Sequence, residues 1–252
     1  MYAKSPSPYH RGVQPSAALK AAVVRADDVF EKKLARPATL CMHCDSGGRH
    51  SPDRLRLDAI LLAHRAHRLT VPVAALDHLQ LGHGSAMVHQ SLRRFAWFVP
   101  PLLAVTLEPD SFVAGLSRLG ELAEEARRDD ASFTATEVEC LAQFFSAALA
   151  SITEDGPVDE LAAILAACGA CGTETSELVA QWLAGCARSP GGWAERRLLS
   201  AIDGPSNRRV ERALGTLAVR AYLESRALAE GDPALLVALS SAEAAVAEWA
   251  AQ

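Results

Sequence analysis

Apolar residues recur every three to four positions along most of this chain, and Gly and Pro interrupt the pattern at short intervals. That spacing predicts helices joined by tight turns. Ser16 to about Ala35 carries Leu19, Val23, Val24, Phe30 and Leu34 as one face, and Pro37 ends it. Pro52 to about Leu69 reads as a second helix, with Leu55, Ile60, Leu61 and Leu62 apolar and Arg54, Arg56, Arg65 and Arg68 solvated. Pro72 suits the first turn of a helix to Leu81, and Ser85 is an N-cap for the helix carrying Arg93, Arg94, Phe95, Trp97 and Phe98. Pro100-Pro101 kinks or breaks that helix, a short apolar helix follows to Leu107, and Pro109-Asp110 opens another to about Arg128.

The second half is more regular. Thr134-Ala-Thr-Glu137 has capping-box spacing and opens a helix through Phe144, Phe145 and Leu149. Further helices are predicted over Val158–Ala167, Thr173–Ala187 and Trp193–Ile202, with Gly169 and Gly172 as breakers between the first two. Gly204-Pro205-Ser206 precedes one long helix to about Glu230, and Gly231-Asp232-Pro233 introduces a last helix ending near Trp249.

Composition agrees. Half of the 252 residues are hydrophobic, enough for a sizeable core, and Ala alone is about a fifth of the chain. Ala and Leu favour helix because they lose little side-chain freedom there. The expected fold class is all-α: an irregular multi-helix bundle of antiparallel helices, with HEAT-like helix pairs as the variant, although no repeat of constant period is visible. The expected organisation is a disordered lead over 1–15 and a single helical domain over 16–252. If the chain divides, it does so near 130, into 16–130 and 131–252.

The net charge of −5 conceals an asymmetry. Residues 1–100 carry 14 Lys and Arg against 7 Asp and Glu, whereas residues 101–252 carry 11 against 23. A basic front and an acidic back could mark an electropositive binding face, but no Lys/Arg run exceeds two residues, so mutual neutralisation of the two halves is the ordinary account. The polar N-terminus has no apolar signal region, and the longest apolar run, Phe95 to Leu107, is cut by Pro100-Pro101 and too short for a bilayer. The expectation is a cytoplasmic protein without membrane partners. There the six cysteines are metal ligands, redox groups or buried thiols rather than disulfides.

Candidate chemistry crowds into the first third, where all eight histidines precede residue 90. Cys41-x-x-Cys44 sets two thiols close enough to share a tetrahedral metal, and a loop through Gly47-Gly48 could add His50. His64 and His67, three apart on the second predicted helix, share a side and could complete the set, as could Asp45. Cys41, Cys44, His50, His64 and His67 are therefore the candidate zinc ligands. No second spacing-matched cysteine pair follows nearby, and no Glu lies between Glu31 and Glu108, so carboxylate-bridged helical sites are absent. Cys41-Met-His-Cys44 also permits a thiol redox reading, but Asp45-Ser-Gly-Gly48 is a poor helix start for acidifying the first thiol. Cys168-Gly-Ala-Cys171 reads as core plus turn, and Cys140 and Cys186 as core.

Other signatures fail. The chain has no Gly-Lys dipeptide for a phosphate loop, no Gly-x-Ser-x-Gly elbow, and Gly82-His-Gly84 lacks the third glycine of a dinucleotide fingerprint. Arg93-Arg94 with Phe95, Trp97 and Phe98 could contact nucleic acid, but at helical spacing the aromatics face the core; Arg208, Arg209, Arg212 and Arg220 form a similar solvated stripe.

The layout resembles a family of bacterial all-helical proteins with no settled activity, whose members open with a CxxC, then a leucine-rich helix, then an aromatic and proline segment. The matching residues are Cys41 and Cys44, Arg93-Arg94-Phe95-Ala-Trp97-Phe98-Val-Pro100 with Leu102-Leu103, the segment Phe133–Leu149, and Leu178-Val-Ala-Gln-Trp182-Leu183. The resemblance spans about residues 36–200. It departs at Leu81-Gly-His-Gly-Ser85, where the family carries a Trp-Gly-Asp-type turn. It implies an all-helical fold and no reaction.

With amphipathic helices throughout and no complete catalytic set, the expectation is a non-enzymatic protein-interaction or scaffold module. Its partner would be another protein and not nucleic acid, and no cofactor is expected. The alternatives are a zinc-binding protein or metal-dependent enzyme centred on the first third, and a thiol redox protein.

Overall fold

Ser16 begins the first helix by accepting a hydrogen bond from the Leu19 amide (3.1 Å), which satisfies one of the donors that a helix start leaves unpaired. The same device recurs along the chain, and the computed structural model describes residues 15–30, 59–60, 63–64, 67–71, 96–108, 110–127 and 133–251. Among them are ten α-helices and no strand. They are α1 (Ala17–Val29), α2 (Val99–Val105), α3 (Phe112–Arg127), α4 (Ala135–Ala150), α5 (Glu160–Cys171), α6 (Ser176–Arg188), α7 (Trp193–Asp203), α8 (Arg208–Leu214), α9 (Leu217–Ala229) and α10 (Pro233–Ala250). Arg68–Thr70 and Ala96–Phe98 are single 3-10 turns. The fold is all-α, as the periodicity predicts.

Local chemistry explains most boundaries. The capping box of α4 forms as its spacing predicts: the Thr134 amide donates to Glu137 Oε2 (2.8 Å) and the Glu137 amide donates to Thr134 Oγ1 (3.4 Å). Pro100-Pro101 lies in the first turn of α2, directly after the Ala96–Phe98 turn, where a missing N–H costs nothing. Asn207, Thr216 and Asp232 cap α8, α9 and α10.

Four expectations are corrected. Gly169 stays inside α5, and the helix ends instead at Gly172, whose φ of +74° suits glycine; the Thr173 amide then closes onto Cys168 O (3.1 Å). Cys171 is therefore the last helical residue rather than part of a turn. The long helix anticipated up to Glu230 is two helices, α8 and α9, broken at Gly215-Thr216. Val24 lies off the buried face of α1 at 56% exposure, and Ala22 and Ala26 complete that face instead.

Helices with small residues approach closely. A Cβ on Gly120 of α3 would stand 3.4 Å from Ala167 Cα of α5, and this pair packs along much of its length. Ser16 bonds Ser151 (2.8 Å) while Arg25 meets Glu139 (3.6 Å), so α1 and α4 run antiparallel. Arg220–Glu243 (2.7 Å) and the approach of Gly215 to Trp249 likewise make α9 and α10 antiparallel. One contiguous apolar cluster runs from Leu19 of α1 to Val246 of α10. No helix among the described residues is long and apolar enough to cross a membrane.

Candidate functional site

The chain between α6 and α7, Ser189-Pro-Gly-Gly192, contains Gly191 at φ +73° and turns sharply enough to set Trp193 against Trp182. The two rings meet edge to face, 5.6 Å between centroids and 80° between planes. Trp182 is fixed further by its indole N–H, which donates to Ala194 O (3.0 Å). Together they line a cleft of about 450 Å³, floored by Leu149 and Ile152 and bordered by Gln181, Arg188 and Ser189. That volume and lining suit one apolar or aromatic group with a polar edge. Among the described residues no Asp, Glu, His or Cys lines the cleft, so none of them stands beside Ser189 as a general base.

The first turn of α7 supports this cleft from behind. Arg197 lies over the Trp193 ring at 5.9 Å. Its guanidinium donates to the carbonyls of Thr153 (2.7 Å), Gly156 (2.6 Å), Glu154 (3.2 Å) and Pro157, tying the α4–α5 connection to α7. The carboxylate nearest to it is Glu160, at 3.7 Å and fully buried. Neither Glu160 oxygen accepts a hydrogen bond among the described residues. Burial raises its carboxyl to about 7, against the opposing pull of the Arg197 charge.

Two residues earlier, Glu195 points into a second buried network. It accepts from Tyr222 Oη (2.5 Å) and from Arg226 Nε (2.9 Å) and Nη2 (3.3 Å), and Arg226 also pairs with Glu230 (2.9 Å). Burial alone would raise the Glu195 carboxyl, but the bonds from Arg226, Tyr222 and the Gly191 amide outweigh it and hold the group below its ordinary value. Burial pushes the thiols of Cys168 and Cys186 up to about 12, so neither is a thiolate at neutral pH.

Of the candidate zinc ligands, Cys41, Cys44 and His50 lie outside the described residues. His64 and His67 do not share one regular helix: His67 has φ −137° and precedes the Arg68–Thr70 turn. Thr70 Oγ1 donates to His67 O (2.7 Å), so the 2.7 Å contact between His64 Nδ1 and the same hydroxyl must have the imidazole as donor. Among the described residues no group of three His, Cys, Asp or Glu could hold a metal ion. Cys168 and Cys171 are buried thiols, as are Cys140 and Cys186.

Sequence reasoning missed the cleft, because Trp193 follows a Pro-Gly-Gly break whose turn direction has no sequence signature. It also missed the buried charges, although a signal existed. Glu195 shares helical register with Leu198 and Ile202, and Glu160 with Ile164 and Ala167, which puts each carboxylate on an apolar face. No protein-family model, curated protein or solved structure matches this chain.

Proposed function

We propose that this protein is a non-enzymatic helical interaction module that receives a side chain of another protein in the Trp182–Trp193 cleft. The observation that supports it is the lining: two orthogonal indoles over an aliphatic floor, polar groups only at the rim, and no Asp, Glu, His or Cys among the described residues that line it. Such a cleft offers a large apolar contact at low entropic cost, which is the composition of binding hot spots. Arg188 at the rim favours an acidic neighbour on the incoming chain.

Selection of random peptides displayed on phage, with Trp193→Ala protein as the subtraction control, tests this reading. Recovered peptides should share an apolar or aromatic anchor beside an acidic residue. They should shift the indole N–H resonances of Trp182 and Trp193 and lose at least about tenfold in affinity, roughly 1.4 kcal/mol, in Trp193→Ala. Peptides that bind the variant as well as the wild type would sink the cleft as the docking site.

Zinc binding is the second reading, favoured by one observation. The Thr70 hydrogen bond fixes the proton on His64 Nδ1 and leaves Nε2 as the available lone pair, the arrangement in which metal-ligating histidines are held. The proposed set is Cys41, Cys44, His50, His64 and His67. Elemental analysis of untagged protein decides it: stoichiometric zinc that disappears in Cys41→Ser/Cys44→Ser supports the reading, and protein free of metal with both thiols titrating removes it.

A further inference from the structure

The helix α9 buries one side and leaves an apolar stripe on the other. Val219 and Leu223 are fully buried. At 3.6 residues per turn, Leu217, Ala221 and Leu228 fall on the opposite side, with Ala218 and Ser225 beside them. Leu217 is 79% exposed and Leu228 is 85% exposed, more than any other large apolar side chain described. The two leucines lie eleven residues apart on one outward face, with Ala221, Glu224 and Ser225 between them, the pattern of an exposed helix face that a partner can cover. Nothing in α9 itself requires them, because its inner face already holds it to α10 and α6.

We propose that this face is a homodimer contact in which α9 packs antiparallel against α9 of a second copy, about a two-fold axis between positions 222 and 223. The register follows from the stripe. An antiparallel two-fold pairing that sets Leu217 opposite Leu228 of the other copy also sets Leu228 opposite Leu217, so both leucines are covered at once. The small side chains of Ala221 and Ser225 then lie at the middle, where the backbones approach most closely.

The charges on the stripe's edge agree with that register. In this pairing Glu224 stands opposite Ala221 and only about 1.5 Å along the axis from the level of the second copy's Arg220, close enough for two symmetric ion pairs. Arg220 uses Nε for its bond to Glu243 within the chain (2.7 Å), and the planar guanidinium retains its Nη groups for a second carboxylate. A parallel pairing would instead oppose Leu217 to itself and Glu224 to Glu224. The pairing of Arg220 with Glu224 across the two-fold is what selects a second copy over an unrelated partner. A single helix pair of this length covers less than the roughly 1,200 Å² of a standard interface, so the dimer is weak and concentration-dependent.

Sedimentation velocity on the full chain at physiological salt, from about 1 to 200 µM, brackets a contact of this strength. The wild type should pass from monomer to dimer across that range. Leu217→Glu should remain monomeric throughout, with its melting temperature unchanged because the side chain is exposed. Glu224→Arg, which opposes Arg220 with a like charge, should weaken the dimer at least several-fold, and about 1 M salt should recover part of that loss by screening. A wild type monomeric at every concentration would overturn the proposal. A dimer indifferent to both substitutions would overturn it equally, by placing the contact elsewhere. Either result leaves the Trp182–Trp193 cleft untouched, since α4, α6 and α7 build that site and not α9.

Discussion

Glu160 carries a carboxyl that its surroundings hold protonated up to about pH 7, because burial penalises the anion more than the Arg197 charge stabilises it. The sign of the linkage follows. In the unfolded chain this group releases its proton near 4.5, so between about 4.5 and 7 the native state binds more protons and stability falls as pH rises. The full difference is on the order of 3 kcal/mol at roughly 1.4 kcal/mol per pH unit. Glu160→Gln keeps the shape of the protonated acid and removes the titration. Its melting temperature should match the wild type near pH 5 and exceed it at pH 8, read by circular dichroism at both values. An equal difference at the two pH values would refute the assignment. The carboxylate's place on an apolar helix face was legible from its register with Ile164 and Ala167. Its partner was not, since Arg197 reaches it from a helix 37 residues further along, across a turn that sequence does not orient.

At the scale of elements, helix existence was legible and one helix break was not. The apolar periodicity of residues 208–229 continues through Gly215, and a single glycine is tolerated inside a helix at a cost of about 1 kcal/mol, so the pattern reads as one helix. Tertiary packing breaks it. A Cβ at Gly215 would stand 2.7 Å from Glu211 O of α8 and 3.0 Å from Trp249 Cβ, so the preceding turn's carbonyl and the end of α10 together fill the space that a side chain would need. Thr216 then restarts the chain by accepting from the Val219 amide (3.3 Å). Gly215→Ala should destabilise the protein by about 2 kcal/mol through overpacking, seen as a lower urea midpoint with an unchanged slope. If α8 and α9 were one continuous helix, the same substitution would stabilise it, so the sign of the effect discriminates.

Across the whole molecule, Arg68 shows how a residue assigned to solvent becomes a joint. It is 3% exposed. Its guanidinium bonds Asp27 Oδ1 (2.5 Å) and the carbonyls of Asp27 (2.6 Å), Phe30 (3.0 Å) and Trp97 (3.4 Å), fastening the end of α1 to the turn before α2. Replacing it with Met leaves the buried carbonyls without donors. Arg68→Met should cost about 3 kcal/mol, measurable by chemical denaturation; a change below about 0.5 kcal/mol would show the joint to be dispensable. Arg197 does the same for the α4–α5 connection. Both arginines serve as multiple-carbonyl donors, a use of the planar fork that composition cannot separate from a solvated charge.

The sequence by itself determined the fold class and nearly every helix of the second half, because periodicity, caps and Gly/Pro breaks are local and each acts within a few residues. Only the tertiary structure decided which arginines are buried, where α8 gives way to α9, and that Trp182 and Trp193 converge on one cleft. Those outcomes depend on contacts between residues from 11 to 44 positions apart. Their energies come from desolvation and from space already filled by another element, and neither is encoded in the neighbours of the residue concerned.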